Sequence, residues 1–83
     1  ASGLAVGTSA IQLTGPENRL RGRREVRIQN LGGGTVYIGD SGVTTSDGLC
    51  IPSGDILTLN VLDYGDIWIV GDANADVRVL ELR

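Results

Sequence analysis

The sequence predicts an all-β domain, a small antiparallel β-sandwich or barrel of about seven short strands, on three observations. Short apolar runs recur roughly every 8–12 residues between turns rich in glycine, proline and Asx residues. Within those runs apolar and polar residues alternate, the period of a strand with one buried face. No window of useful length carries the i, i+3, i+4 spacing of an amphipathic helix. The 83 residues include 25 Ile, Val and Leu and 13 glycines, but only two tyrosines and one tryptophan. That is a lean aliphatic core. A chain this short buries only about 60–65% of the surface its unfolded form exposes. Cys50 is the single cysteine, so no internal disulfide can compensate. Assembly with further copies is the expected source of extra stability.

Residues 1–9 lack charge and strand pattern and are expected to form an extended N-terminal arm, with residues 10–83 as one β-domain. Ala10-Ile11-Gln12-Leu13 alternates briefly before the Gly15-Pro16 turn. Arg24-Glu25-Val26-Arg27-Ile28-Gln29 places Val26 and Ile28 on one face, and Gly32-Gly33-Gly34 ends it. Thr35-Val36-Tyr37-Ile38 closes at Gly39-Asp40, and a polar loop runs to Gly48. Leu49-Cys50-Ile51 stops at Pro52 and the Ser53-Gly54 turn. In residues 56–61, Leu57, Leu59 and Val61 point inward. Ile67-Trp68-Ile69-Val70 puts Trp68 on the face opposite Ile67 and Ile69, as an interface anchor, a sugar platform or the cap of a barrel end. In the last strand Val77 and Val79 share a face with Glu81, while Leu80 and Leu82 share the other with Arg78. Apolar residues on both faces mean a central strand or one buried against another molecule. A subunit contact through Leu80 and Leu82 is the expectation.

Charge is segregated along the chain. All seven basic residues are arginines, and Arg19, Arg21, Arg23, Arg24 and Arg27 fall within nine positions. Between Ile28 and Val77 there is no basic residue, but seven aspartates. A chain of net charge −3 is a poor general nucleic-acid binder. Arg19, Arg21, Arg23 and Arg24 instead read as a patch that pairs with carboxylates on a partner or a second copy. No stretch approaches the roughly 20 apolar residues of a membrane span. Residues 1–5 lack the basic and long apolar runs of a secretory signal, so synthesis in a cytosol is expected.

Chemical motifs are few. Gly39-Asp40-Ser41-Gly42 spells a serine-protease nucleophile motif, but the chain has no histidine to act as base. Asp72-Ala73-Asn74-Ala75-Asp76 matches the opening of a calcium loop, yet positions six and twelve are Val77 and Arg83 rather than Gly and Glu. A hairpin turn is the simpler reading. Gly32-Gly33-Gly34 precedes neither a helix nor a lysine and is no phosphate cradle. No catalytic residue, metal ligand or cofactor is predicted.

Two resemblances add to this. Asp40-Ser41-Gly42, with Ile69-Val70-Gly71 later, resembles the signature of retropepsin-type aspartic proteases, which would imply a dyad shared by two copies. Gly39 departs from that pattern, because the family has an apolar residue before the aspartate. More broadly, residues 26–32, Thr35-Val36-Tyr37-Ile38-Gly39, Val43-Thr44, Gly48, Ile51-Pro52-Ser53-Gly54 and residues 75–81 resemble small all-β virion proteins of tailed bacteriophages. The likeness covers residues 24–83. It implies a structural, non-enzymatic protein of the virion, a capsid decoration protein that binds the major capsid protein as an oligomer, a trimer by expectation. A tail or fibre component is the near alternative, and a carbohydrate-binding module using Trp68 and Tyr64 the next.

Overall fold

The computed structural model describes residues 2–14, 20–62 and 65–83. Eight strands are present, and no helix occurs among these residues: β1 (Ser2–Val6), β2 (Ile11–Gln12), β3 (Glu25–Gly32), β4 (Val36–Gly39), β5 (Leu49–Ile51), β6 (Ile56–Leu59), β7 (Trp68–Gly71) and β8 (Ala75–Leu82). They form two four-stranded sheets, β1-β8-β3-β6 and β2-β7-β4-β5, with every pairing antiparallel. This is the small β-sandwich that the alternation predicts, with one strand more.

The additional strand is β1, in the segment expected to be an unpatterned arm. It pairs with β8 from Ser2↔Val79 to Val6↔Ala75. Leu4 and Val6, two positions apart, face the core, and Val6 is buried there. Gly3 and Ala5 face outward and leave too weak a strand signature to read from sequence. The partner strand supplies the order that propensity does not.

Between the sheets lies an aliphatic core. Val26 and Ile28 of β3 and Val77 and Val79 of β8 pack with Val36, Ile38, Ile51 and Ile69 of the second sheet. β8 is interior, between β1 and β3, which accounts for its two apolar faces in part. Its Val77 and Val79 fill the core, while Leu80 lies half-buried on the outer side.

Two buried polar side chains tie the strand ends together. Asn30 sits where β3 bulges between Asn30 and Gly32. Its Nδ2 donates to the carbonyls of Gly34 (2.8 Å) and Ile51 (2.9 Å), and its Oδ1 accepts from the Gly32 N–H at 3.0 Å. One side chain thus joins the β3–β4 turn to β5. Gly33 completes that turn at φ +101°, and a Cβ there would run into the Asn74 carbonyl oxygen.

Arg23 is the second, and here the structure corrects the sequence reading. Expected in an exposed patch, it is 1% exposed. Its Nε donates to the Val61 carbonyl (3.2 Å), and its Nη2 to those of Leu62 and Gly65, both at 2.8 Å. Nη1 reaches Glu81 Oε2 at 2.9 Å and Thr14 Oγ1 at 3.4 Å. The same Glu81 oxygen accepts the Leu20 N–H at 3.3 Å. Glu81 shares the core face of β8 with Val77 and Val79, so it requires a buried cation. Arg23 is that cation, and the other arginines among the described residues are exposed.

Arg23→Ala should therefore lower unfolding stability by about 3–5 kcal/mol, the cost of leaving one member of a buried pair unmatched. Arg23→Lys should not recover it, because an ammonium lacks the planar fork that reaches these acceptors. Urea unfolding with an unchanged m-value measures both. A loss below about 1 kcal/mol, the scale of an exposed pair, would contradict the assignment.

Candidate assembly surface

The outer face of the β1-β8-β3-β6 sheet is built by register. One row across it runs Gly3, Arg78, Gln29, Ile56, and the next contains Leu80, Arg27 and Thr58. Leu82 lies opposite Glu25 beyond them. Ile56 is 61% exposed and Leu31, farther along β3, is 47% exposed. Arg27, Gln29, Ile56, Arg78 and Leu80 line a depression of about 190 Å³. Leu80 and Ile56 supply its apolar lining, and Arg78 and Arg27 are diagonal neighbours across the β8–β3 pair. Arg27 bonds Glu25 Oε2 at 3.0 Å, an exposed pair of little energetic weight. Among the described residues no carboxylate lies within ion-pair distance of Arg78.

The residues singled out by sequence do not form one patch. Arg19 lies outside the described residues, as does Tyr64. Arg23 belongs to the interior. Arg21 and Arg24 are exposed where the chain enters β3, next to the end of β8: the Arg24 N–H bonds the Leu82 carbonyl at 2.8 Å, and Arg83 Nη1 donates to the Arg21 carbonyl at 3.2 Å. Leu80 and Leu82 are half-buried at this sheet. Trp68 lies on the outer face of the other sheet, half-buried and in register with Gln12 and Gly39. Arg27, counted in the arginine cluster but not among its partner-binding residues, completes the surface with Arg78 and Ile56, which were not singled out. Only the pairing of β3 with β6 and β8 reveals them, since their separation in sequence hides their shared face.

The tempting motifs resolve into turns. Asp40 is exposed and its Oδ1 accepts the Gly42 N–H at 2.9 Å, an Asx turn. Asp72 Oδ1 accepts the Thr35 N–H at 2.9 Å, joining the β7–β8 turn to the start of β4. Among the described residues, no three His, Cys, Asp or Glu side chains converge as metal ligands. Several aspartates lie in turns, Asp40 and Asp47 between β4 and β5, Asp55 between β5 and β6 and Asp72 between β7 and β8, while Asp76 of β8 is exposed on the same sheet face as Arg78. The exposed arginines sit on the β1-β8-β3-β6 sheet and at its end. No family model matches this sequence, and no curated protein matches it.

Within the β4–β5 loop, Asp47 Oδ1 accepts the Thr44 N–H (2.8 Å) and hydroxyl (3.0 Å). The backbone bond first, and the hydroxyl second, hold the carboxyl below its ordinary value of 3.8. A depressed carboxyl stabilises the folded loop above its unfolded value, and that contribution is lost as pH falls through the lowered one. Thr44→Val removes the hydroxyl bond and keeps the backbone bond. The Asp47 titration midpoint, followed by NMR at the Thr44 amide, should rise towards 3.8 but stay below it. A midpoint unchanged by the substitution would contradict the hydroxyl's role.

Proposed function

We propose that this chain is a structural, non-enzymatic virion protein of the bacteriophage capsid-decoration type, attached to the outer surface of a head and assembled with copies of itself. The observation that carries the reading is the outer face of the β1-β8-β3-β6 sheet. Leu80 and Ile56 lie there beside Arg27 and Arg78, on a face left open while the other closes the core. A surface of this kind suits a shell protein offering carboxylates around an apolar patch. Apolar contact supplies affinity, and the arginines fix orientation and partner choice. A lean core that gains stability from association fits the same role. The resemblance of residues 24–83 to small phage virion proteins supports a virion role, with capsid decoration on the major capsid protein, as a trimer, the leading form and a tail or fibre component the near alternative.

Occupancy on purified shells across a salt series tests the reading. Arg27→Ser with Arg78→Ser should loosen attachment without unfolding the domain, and attachment of the native chain should weaken above about 0.5 M salt, where screening lengths shrink to a few Å. Arg23 is left intact because its loss would destabilise the sandwich itself. Leu80→Asp should cost several kcal/mol of binding if the contact is dry. Full, salt-independent occupancy by the double-Ser variant would remove the arginines from the contact. Copies numbering a single ring rather than hundreds per particle would place the protein in the tail.

A further inference from the structure

We propose that copies of this chain join head to tail by pairing β6 of one with β1 of the next, extending the β1-β8-β3-β6 sheet across the subunit boundary. The inference rests on the self-assembly within the proposed function, and not on shell attachment.

Three features of the sheet lead there. First, β1 and β6 are its edges. An edge strand exposes unpaired N–H and C=O groups, which proteins blunt with charge, proline or brevity. The other sheet does so: β2 has two residues, while β5 runs directly into Pro52 and its Ile51 carbonyl is taken by Asn30. Neither β1 nor β6 contains a charged residue or proline.

Second, the ladder dictates which groups are free. The Asn30 N–H bonds the Asp55 carbonyl at 3.0 Å. Strand alternation then turns Ile28 and Val26 towards β6, and Arg27 and Gln29 towards β8. Carried across the sheet, it leaves the peptide groups of Ile56 and Thr58 free on the β6 edge and those of Gly3 and Ala5 free on the β1 edge. With four antiparallel strands, β1 and β6 run in opposite directions, so a neighbour placed in line offers an antiparallel partner. Pairing Gly3 with Thr58 and Ala5 with Ile56 lets each pair exchange two backbone hydrogen bonds.

Third, the side chains fit that register. Leu4 and Leu57, both packed against the core, meet on the inner side. On the outer side the Arg78 guanidinium lies over Gly3, and the small, exposed Ala5 leaves room beside the exposed Ile56. A two-fold pairing of like edges would set Ile56 against Thr58, or glycine against alanine, and use only one edge of each copy. The head-to-tail seam uses both and brings no charged residues opposite each other.

Cysteine cross-linking tests this in a Cys50→Ser background. Mixed Ala5→Cys and Ile56→Cys chains should oxidise to a hetero-disulfide dimer, because directly opposed strand residues lie within the Cα separation a disulfide needs. Each single variant should stay uncross-linked. Thr58→Lys, which places a charge on the edge and leaves the internal ladder intact, should weaken assembly of the otherwise native chain about tenfold or more, with its circular dichroism unchanged. Cross-linking of one single variant with itself would overturn the seam in favour of a two-fold edge. An oligomer by native mass with no cross-link in any mixture would overturn the seam and leave self-assembly standing. A monomer at all concentrations would overturn both.

Discussion

The rest of the sandwich depends on the guanidinium of Arg23. It is withdrawn from solvent and has an acceptor for each of its three nitrogens: Val61, Leu62 and Gly65 carbonyls, Glu81 and Thr14. These acceptors belong to the segment after β2, the connection between β6 and β7, and the end of β8. One planar ion therefore gathers, at one end of the molecule, segments that strand pairing alone would not bring together. Such a cluster is costly to bury and worse to leave incomplete. Its value is in specifying which strand ends meet. At the other end Asn30 serves the same purpose without charge, joining the β3 bulge to the β3–β4 turn and to β5.

With its ends fixed in this way, the β1-β8-β3-β6 sheet presents a defined outer surface. Arg27 and Arg78 are held on the pleat as diagonal neighbours beside Leu80 and Ile56, so their spacing is set by strand register rather than by loop conformation. That rigidity makes the face suited to recognising a fixed arrangement of carboxylates. The aspartates in the turns of the same chain give a second copy, or a shell protein of similar character, a matching chemistry. Recognition in the proposed function then comes from a sheet face, and self-association from the edges of that same sheet.

How much of this was legible in the sequence follows from how local each signal is. β3, β4 and β8 announce themselves because Val26 with Ile28, Val36 with Ile38, and Val77 with Val79 repeat at period two beside turn residues. β1 does not, since Gly3 and Ala5 carry no strand preference and its order comes from β8, over 70 positions away. Arg23 is hidden for a related reason. Nothing local separates it from Arg21 and Arg24. The available clue lay at the far end of the chain, where Glu81 occupies the buried face of an apolar strand and demands a cation. The face lined by Arg27, Ile56, Arg78 and Leu80 is a product of pairing and invisible before it.

The division of the described arginines into one interior clamp and several exposed groups is the claim on which this account stands. NMR of the guanidinium groups tests it most directly. Arg23 should give resolved, slowly exchanging Nη hydrogens, fixed by its acceptors, with Arg24 and Arg78 averaged by rotation and rapid exchange. Averaged, unprotected Arg23 signals in the folded protein would contradict the account.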